Sequence, residues 1–208
     1  MAADNKVTTP PELWFYQKQH IFKPGFYGWQ IVAFAAGIIG GNYYLTTSVI
    51  PRPAGGTVVL DVKENTVLAA FLFYAAVLFL KTMAMPWISV YFMCENNSFN
   101  SMNPEDIDTG VGEVNTAGDP VRDRINRVHN NDLENVPFML LMGFFMVLVN
   151  PDPDAAAMLY RVDMCTRLTH TVWYAMAGSH EIRATLWSTN VFCMVAYTFQ
   201  ILAGIGVL

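Results

Sequence analysis

Residues 124–138 read RINRVHNNDLENVPF, and residues 139–149 continue MLLMGFFMVLV. Arg124, Arg127, His129, Asp132 and Glu134 therefore sit directly against an apolar run. Together the two parts are long enough to cross a bilayer, which takes about 20 mostly apolar residues. The stretch reads as a membrane helix with a polar mouth, and that reading decides the fold.

Four more segments have membrane character. One covers about Tyr27 to Ile50 and ends at Pro51 and Pro53. A second covers about Thr66 to Met93 and contains Lys81 and Pro86. The sequence NPDPD at 150–154 is a turn, because its prolines stop one helix and start the next. The remaining two cover about Ala155 to Ala177 and Thr185 to Leu208. Between the second and third spans lies a polar loop, 94–121, acidic and without a basic residue.

Composition agrees. Of the 208 residues 53% are hydrophobic and 14% charged, where a soluble domain is about a quarter charged. The formal charge is −5 with no basic run, which argues against nucleic acid as a partner. Cys94, Cys165 and Cys193 are widely spaced, which argues against a disulfide framework and against a metal site. Residues 1–25 are polar, aromatic and proline-bearing and do not read as a cleaved signal peptide.

Five spans place Lys6, Lys18, Lys23, Arg122, Arg124, Arg127 and Arg183 on one side, against Arg52, Lys63 and nearby Arg161 on the other. The positive-inside rule puts the first side in the cytoplasm, or in the matrix of a mitochondrion.

Two polar stripes run along the third and fourth spans. Arg124, Arg127, Asn131 and Glu134 follow spacings of 3, 4 and 3, and Arg167, His170 and Tyr174 follow 3 and 4. Each set lies on one helical face. Ionisable residues inside a membrane are costly and usually face a bundle interior or a wet cavity. Consecutive antiparallel helices are neighbours, so the stripes are expected to converge near Arg183. The arginines suit carboxylates through forked hydrogen bonds, and a glutamate among them suits an ammonium. Glutathione carries both groups and a thiol. Each residue alone has a plainer reading. Arg124 and Arg127 can snorkel to lipid head groups, His170 can be a core histidine, and Lys81 is expected to pair with an acid such as Glu134.

The segments FLKTMAM (79–85), NPED (103–106), RVHNNDLENVPF (127–138), NPDPDAA (150–156), RLTHTVWY (167–174) and IRA (182–184) resemble the MAPEG family in order and spacing. The likeness is closest to its type-1 microsomal glutathione transferase branch, with the prostaglandin E synthase branch as a relative. The resemblance implies an all-α, integral membrane four-helix bundle over 61–208. Residues 1–60 add a tail and an extra N-terminal transmembrane helix. It further implies a multi-pass homotrimer of the endoplasmic reticulum or a mitochondrial membrane. Its co-substrate is glutathione, held by Arg127, Asn131, Glu134, His170, Tyr174 and Arg183. Arg183 is the catalytic residue near the sulfur. A cation or hydrogen-bond donors there raise the thiolate fraction, and the thiolate attacks a lipophilic substrate dissolved in the bilayer.

The chain departs from that pattern in four places. Met93 stands where the family carries an arginine that reaches glutathione. Asp163 stands where the family is apolar, and is expected to pair with Arg167 and lower the positive potential. Ala184 and Asn130 replace the serine and arginine of the prostaglandin synthase branch, which disfavours that isomerase activity. Ile107 replaces a reactive loop cysteine, leaving Cys94 as the loop-side thiol. Two functions fit the whole. One is a glutathione transferase and peroxidase acting on lipophilic electrophiles and lipid hydroperoxides. The other is a non-catalytic accessory subunit of a larger membrane complex, possible because the added helix and the aromatic tail 10–29 can serve as docking elements.

Overall fold

The computed structural model describes the backbone of residues 24–54, 56–95 and 120–208. The tail before Pro24, the NPED motif and Ile107 lie outside the described residues, as do the side chains of Met93 and Cys94. Five α-helices follow one another: α1 (Pro24–Tyr44), α2 (Thr66–Glu95), α3 (Pro120–Val147), α4 (Pro153–Ala175) and α5 (His180–Gly204). A π-helical turn, Leu45–Val49, continues α1. No strand occurs among the described residues, so the all-α expectation holds.

The chain divides into two compact units, Met1–Gly41 and Asn42–Leu208. The described part of the first is helical, with Val32, Phe34 and Ile39 exposed on it. The second holds α2 to α5 together with the end of α1.

Local chemistry sets the helix ends. Asn65 caps α2, its Oδ1 accepting from the Leu68 amide at 2.9 Å. Asp152 caps α4 in the same way through the Ala155 amide at 2.9 Å, with Pro153 opening the helix. Asn150, with φ of 52°, closes α3 in the left-handed conformation that asparagine tolerates. The NPDPD turn thus works residue by residue as the sequence suggests. Pro86 and Pro137 sit inside α2 and α3, where each removes one backbone donor from its helix.

Within the second unit, α2 packs most extensively on α3, and α4 on α5; α2 also meets α4, and α3 meets α5. The smallest of these helix contacts is between α3 and α4, although the short turn makes them consecutive. Three apolar layers fill the bundle. Val67, Leu68, Met146, Val147, Ala156, Tyr160, Cys193 and Tyr197 form one. Leu78, Val136 and Met139 form the middle. Met85, Ile125 and Val128, with Tyr174 against them, form the third. The end of α1 rests on α5: the Asn42 amide donates to the Phe192 carbonyl at 3.3 Å, and Tyr43 stacks edge-on with Phe199.

Thr66–Phe92 and His180–Gly204 are long and apolar enough on their own to cross a membrane. Helices α3 and α4 owe their lower apolarity to polar side chains that the bundle turns partly inward.

Candidate functional site

Asp132 is the centre of the polar interior. It lies in phase with the buried apolar residues Ile125, Val128, Val136 and Met139 on α3 and has no exposed surface. Its Oδ1 forms an ion pair with Lys81 Nζ of α2 and lies 3.4 Å from Arg167 Nε of α4. Arg167, equally buried, also donates from Nη2 to the backbone carbonyl of Asn131 at 2.6 Å. One carboxylate thus ties three helices together. An uncompensated charge at such depth is severely unfavourable, and a hydrogen-bonded pairing is what makes it tolerable.

Two sequence expectations are corrected here. Lys81 pairs with Asp132, not with Glu134, because Asp132 lies on the inward face of α3 and Glu134 is exposed on the outer one. Asp163 does not take Arg167 as an ion-pair partner. Its Oδ1 accepts from Asn190 Nδ2 at 2.9 Å and its Oδ2 from the Tyr197 hydroxyl at 3.0 Å, both on α5. Arg167 is therefore a strut of the interior and not a member of an open stripe.

The six expected ligand residues fall into two groups. His170, Tyr174 and Arg183 come together: the His170 and Tyr174 rings meet edge-on at 5.8 Å, and the Arg183 guanidinium carbon lies 4.4 Å from the centre of the Tyr174 ring. A cation over an aromatic face is attracted by the ring quadrupole. Arg127, Asn131 and Glu134 form the second group on the outer side of α3, with Arg127 and Glu134 exposed and Asn131 half-buried. Among the described residues of one chain no hydrogen bond or ion pair joins these groups directly, but Arg167 lies between them, on the α4 face that carries His170 and bonding the carbonyl of Asn131. Glu134 opens onto a cleft of about 460 Å³ between α3 and α5, walled by Phe138, Met142, Met194 and Val195.

Several buried polar atoms here have no protein partner: Asn131 Oδ1, Arg167 Nη1, His170 Nδ1, Thr171 Oγ1 and Arg183 Nε. Buried polar groups are nearly always satisfied, so these atoms leave hydrogen-bonding capacity for an outside partner, as Gln200 Nε2 and Oε1 do elsewhere on α5. A carboxylate-bearing polar ligand fits that donor set.

The sequence reading missed Asp132, Asn190 and Tyr197. Their signal was phase: Asp132 continues the apolar row of α3, while Asn190, Cys193, Tyr197 and Gln200 follow spacings of 3, 4 and 3 on α5 and are all buried.

Residues 71–203 match the profile of the MAPEG family. Microsomal glutathione S-transferase 1 of Mus musculus is 35% identical over 116 residues, covering 53% of this chain and 73% of that protein. The protein of the same name from Homo sapiens is 32% identical over 119 residues, covering 55% and 75%. Prostaglandin E synthase of Rattus norvegicus is 31% identical over 143 residues, covering 69% of this chain and 92% of that protein.

Proposed function

The chain belongs to the MAPEG family, and on that premise we propose that it is a membrane-bound glutathione transferase with peroxidase activity toward lipid hydroperoxides. The observation that carries this reading is the pair of unpartnered buried nitrogens beside Tyr174 at one end of the bundle, His170 Nδ1 and Arg183 Nε. Glutathione supplies two carboxylates to such donors. Its ammonium suits Glu134, exposed at the mouth of the α3–α5 cleft.

In this proposal Arg127, Asn131 and Glu134 of one protomer face His170, Tyr174 and Arg183 of the next, within a homotrimer. That arrangement accommodates the separation of the two groups in a single chain. Tyr174 holds the Arg183 guanidinium by its ring, and Arg183 stabilises the thiolate sulfur of glutathione. For conjugation the sulfur lone pair forms a carbon–sulfur bond as the leaving group departs with its electron pair. For peroxide reduction the thiolate takes one oxygen from the O–O bond, releasing an alcohol once the alkoxide is protonated. A second glutathione then displaces water to give the disulfide. The protein contributes ionisation and orientation. The membrane delivers the lipophilic partner to the same boundary, in the endoplasmic reticulum or a mitochondrion.

Glutathione titration of the purified protein, followed by turnover with a lipophilic electrophile, tests the reading. Binding and turnover in the parent, with turnover about a hundredfold lower in Arg183→Ala, support it. A protein that binds no glutathione, and purifies as a single copy inside a larger membrane complex, fits the accessory-subunit reading instead.

A further inference from the structure

Asp163 occupies a place on α4 where the family resemblance leads one to expect an apolar side chain, yet it is 3% exposed inside the bundle. Asn190 Nδ2 of α5 reaches three acceptors on α4: the Asp163 carbonyl at 3.0 Å, Asp163 Oδ1 at 2.9 Å and Thr166 Oγ1 at 3.1 Å. One helical phase further along α5, the Tyr197 hydroxyl donates to Asp163 Oδ2 at 3.0 Å. Among the described residues these are the side-chain hydrogen bonds that join α4 to α5 along their length.

We propose that Asp163 is a positioning residue: held by Asn190 and Tyr197, it fixes the register of α5 against α4 and thereby the place of Arg183 over Tyr174. The inference rests on the thiolate-stabilising role of Arg183 proposed above. Arg183 lies about two turns from Asn190 on α5, and Tyr174 about three turns from Asp163 on α4, in each case on the same face as the clamp. Apolar helix faces in lipid have no hydrophobic drive to choose one register over another, and polar bonds between helices supply that choice. A slip of α5 by one residue carries Arg183 about 1.5 Å along the axis. Displacements of about 1 Å at a reacting group cost on the order of a hundredfold in rate.

The test compares the full-length protein with Asp163→Leu, Asp163→Asn and the reciprocal exchange of Asp163→Asn with Asn190→Asp. Asp163→Leu removes both bonds of the Asp163 carboxylate and leaves those of Asn190 to the residue 163 carbonyl and Thr166. Its kcat is expected to fall about tenfold, less than the hundredfold of a complete slip, because two interhelical bonds are lost and two remain. The KM for glutathione is expected to change much less, because the α3 contacts are untouched. The bound thiol should ionise at higher pH, a readout that mere loss of folded protein does not move. Asp163→Asn keeps an acceptor for Tyr197 and a partner for Asn190, and is expected to stay near the parent. The exchange restores the side-chain pair but sets the new carboxylate against the residue 163 carbonyl that Asn190 Nδ2 bonds, and is expected to fall between the other two. Spin labels at the exposed residues Thr169 on α4 and Thr185 on α5 read the register without glutathione. Their distance distribution should broaden or shift in Asp163→Leu and stay narrow in Asp163→Asn. If Asp163→Leu fails to fold, Tyr197→Phe removes one bond and is read the same way, with a smaller expected effect. Unchanged label distances in Asp163→Leu, or an Asp163→Asn protein that behaves like Asp163→Leu, overturn the proposal. If the parent protein binds no glutathione, the functional reading fails, and the label distances alone decide the clamp.

Discussion

The Arg183 guanidinium carbon lies 4.4 Å from the centre of the Tyr174 ring, across the short turn that separates α4 from α5. The ring holds the cation without neutralising it, so the positive charge stays available to a ligand. Replacing Arg183 by alanine is therefore expected to lower kcat for glutathione conjugation by roughly a hundredfold, the usual cost of deleting one group that stabilises developing anionic charge. The thermal unfolding of the variant should stay close to that of the parent. Steady-state kinetics beside a melting curve check both halves.

Asp132 and Glu134, two residues apart, should behave oppositely on mutation. Asp132→Ala leaves Lys81 and Arg167 buried without their carboxylate, and is expected to destabilise the protein by about 3–5 kcal/mol. Glu134→Ala, on the exposed face, should stay within about 0.5 kcal/mol of the parent but weaken glutathione binding. Denaturation in detergent and a binding titration separate the two effects.

Glutathione itself should stabilise the folded protein. At a hundred times its Kd, a ligand that binds only the folded state contributes about 2.7 kcal/mol. A rise in melting temperature with glutathione, smaller in Arg183→Ala at the same concentration, is the expected result. No rise for the parent at any concentration would count against the site.

Gly178 has no room for a side chain. A Cβ there would lie 2.2 Å from Trp173 Nε1, and the indole is engaged with the Ser179 carbonyl at 3.3 Å. Gly178→Ala must displace the ring, break that bond and disturb the turn that carries Arg183. The expected cost is about 1–3 kcal/mol, as for other overpacked sites. Loss of activity should exceed that in an alanine substitution at exposed Ser179.

Much of the fold was legible in the residues because its signals are local. The prolines and asparagine of 150–154, the apolar runs and their lengths place the helix ends within a few residues of those observed. The cluster of His170 and Tyr174 was legible too, since spacings of 3 and 4 define one face. The partner of Lys81 was not. Residues 129–135 are polar almost without interruption, so periodicity within them leaves the inward face undefined. Only the apolar residues on either side, Ile125 and Val128 before and Val136 and Met139 after, show that Asp132 points in and Glu134 out. For Asp163 the nearest cation in sequence, Arg167, was a poor guide. Its hydrogen-bond partners come from α5, some thirty residues on, and no local pattern announces a contact of that range.

The buried triad has a consequence for how the chain enters its bilayer. Helices α2 and α5 are greasy enough to partition by themselves, whereas α3 and α4 bring Asp132, Asp163 and Arg167 with them. A lone charged side chain at mid-membrane opposes insertion by a few kcal/mol. An α2 already in place offers Lys81 to the aspartate of α3, and α3 in turn offers that aspartate to the arginine of α4. Entry in chain order lets each span meet its counter-charge as it arrives, and loss of the lysine from the second helix is expected to lower the fraction of the third that inserts.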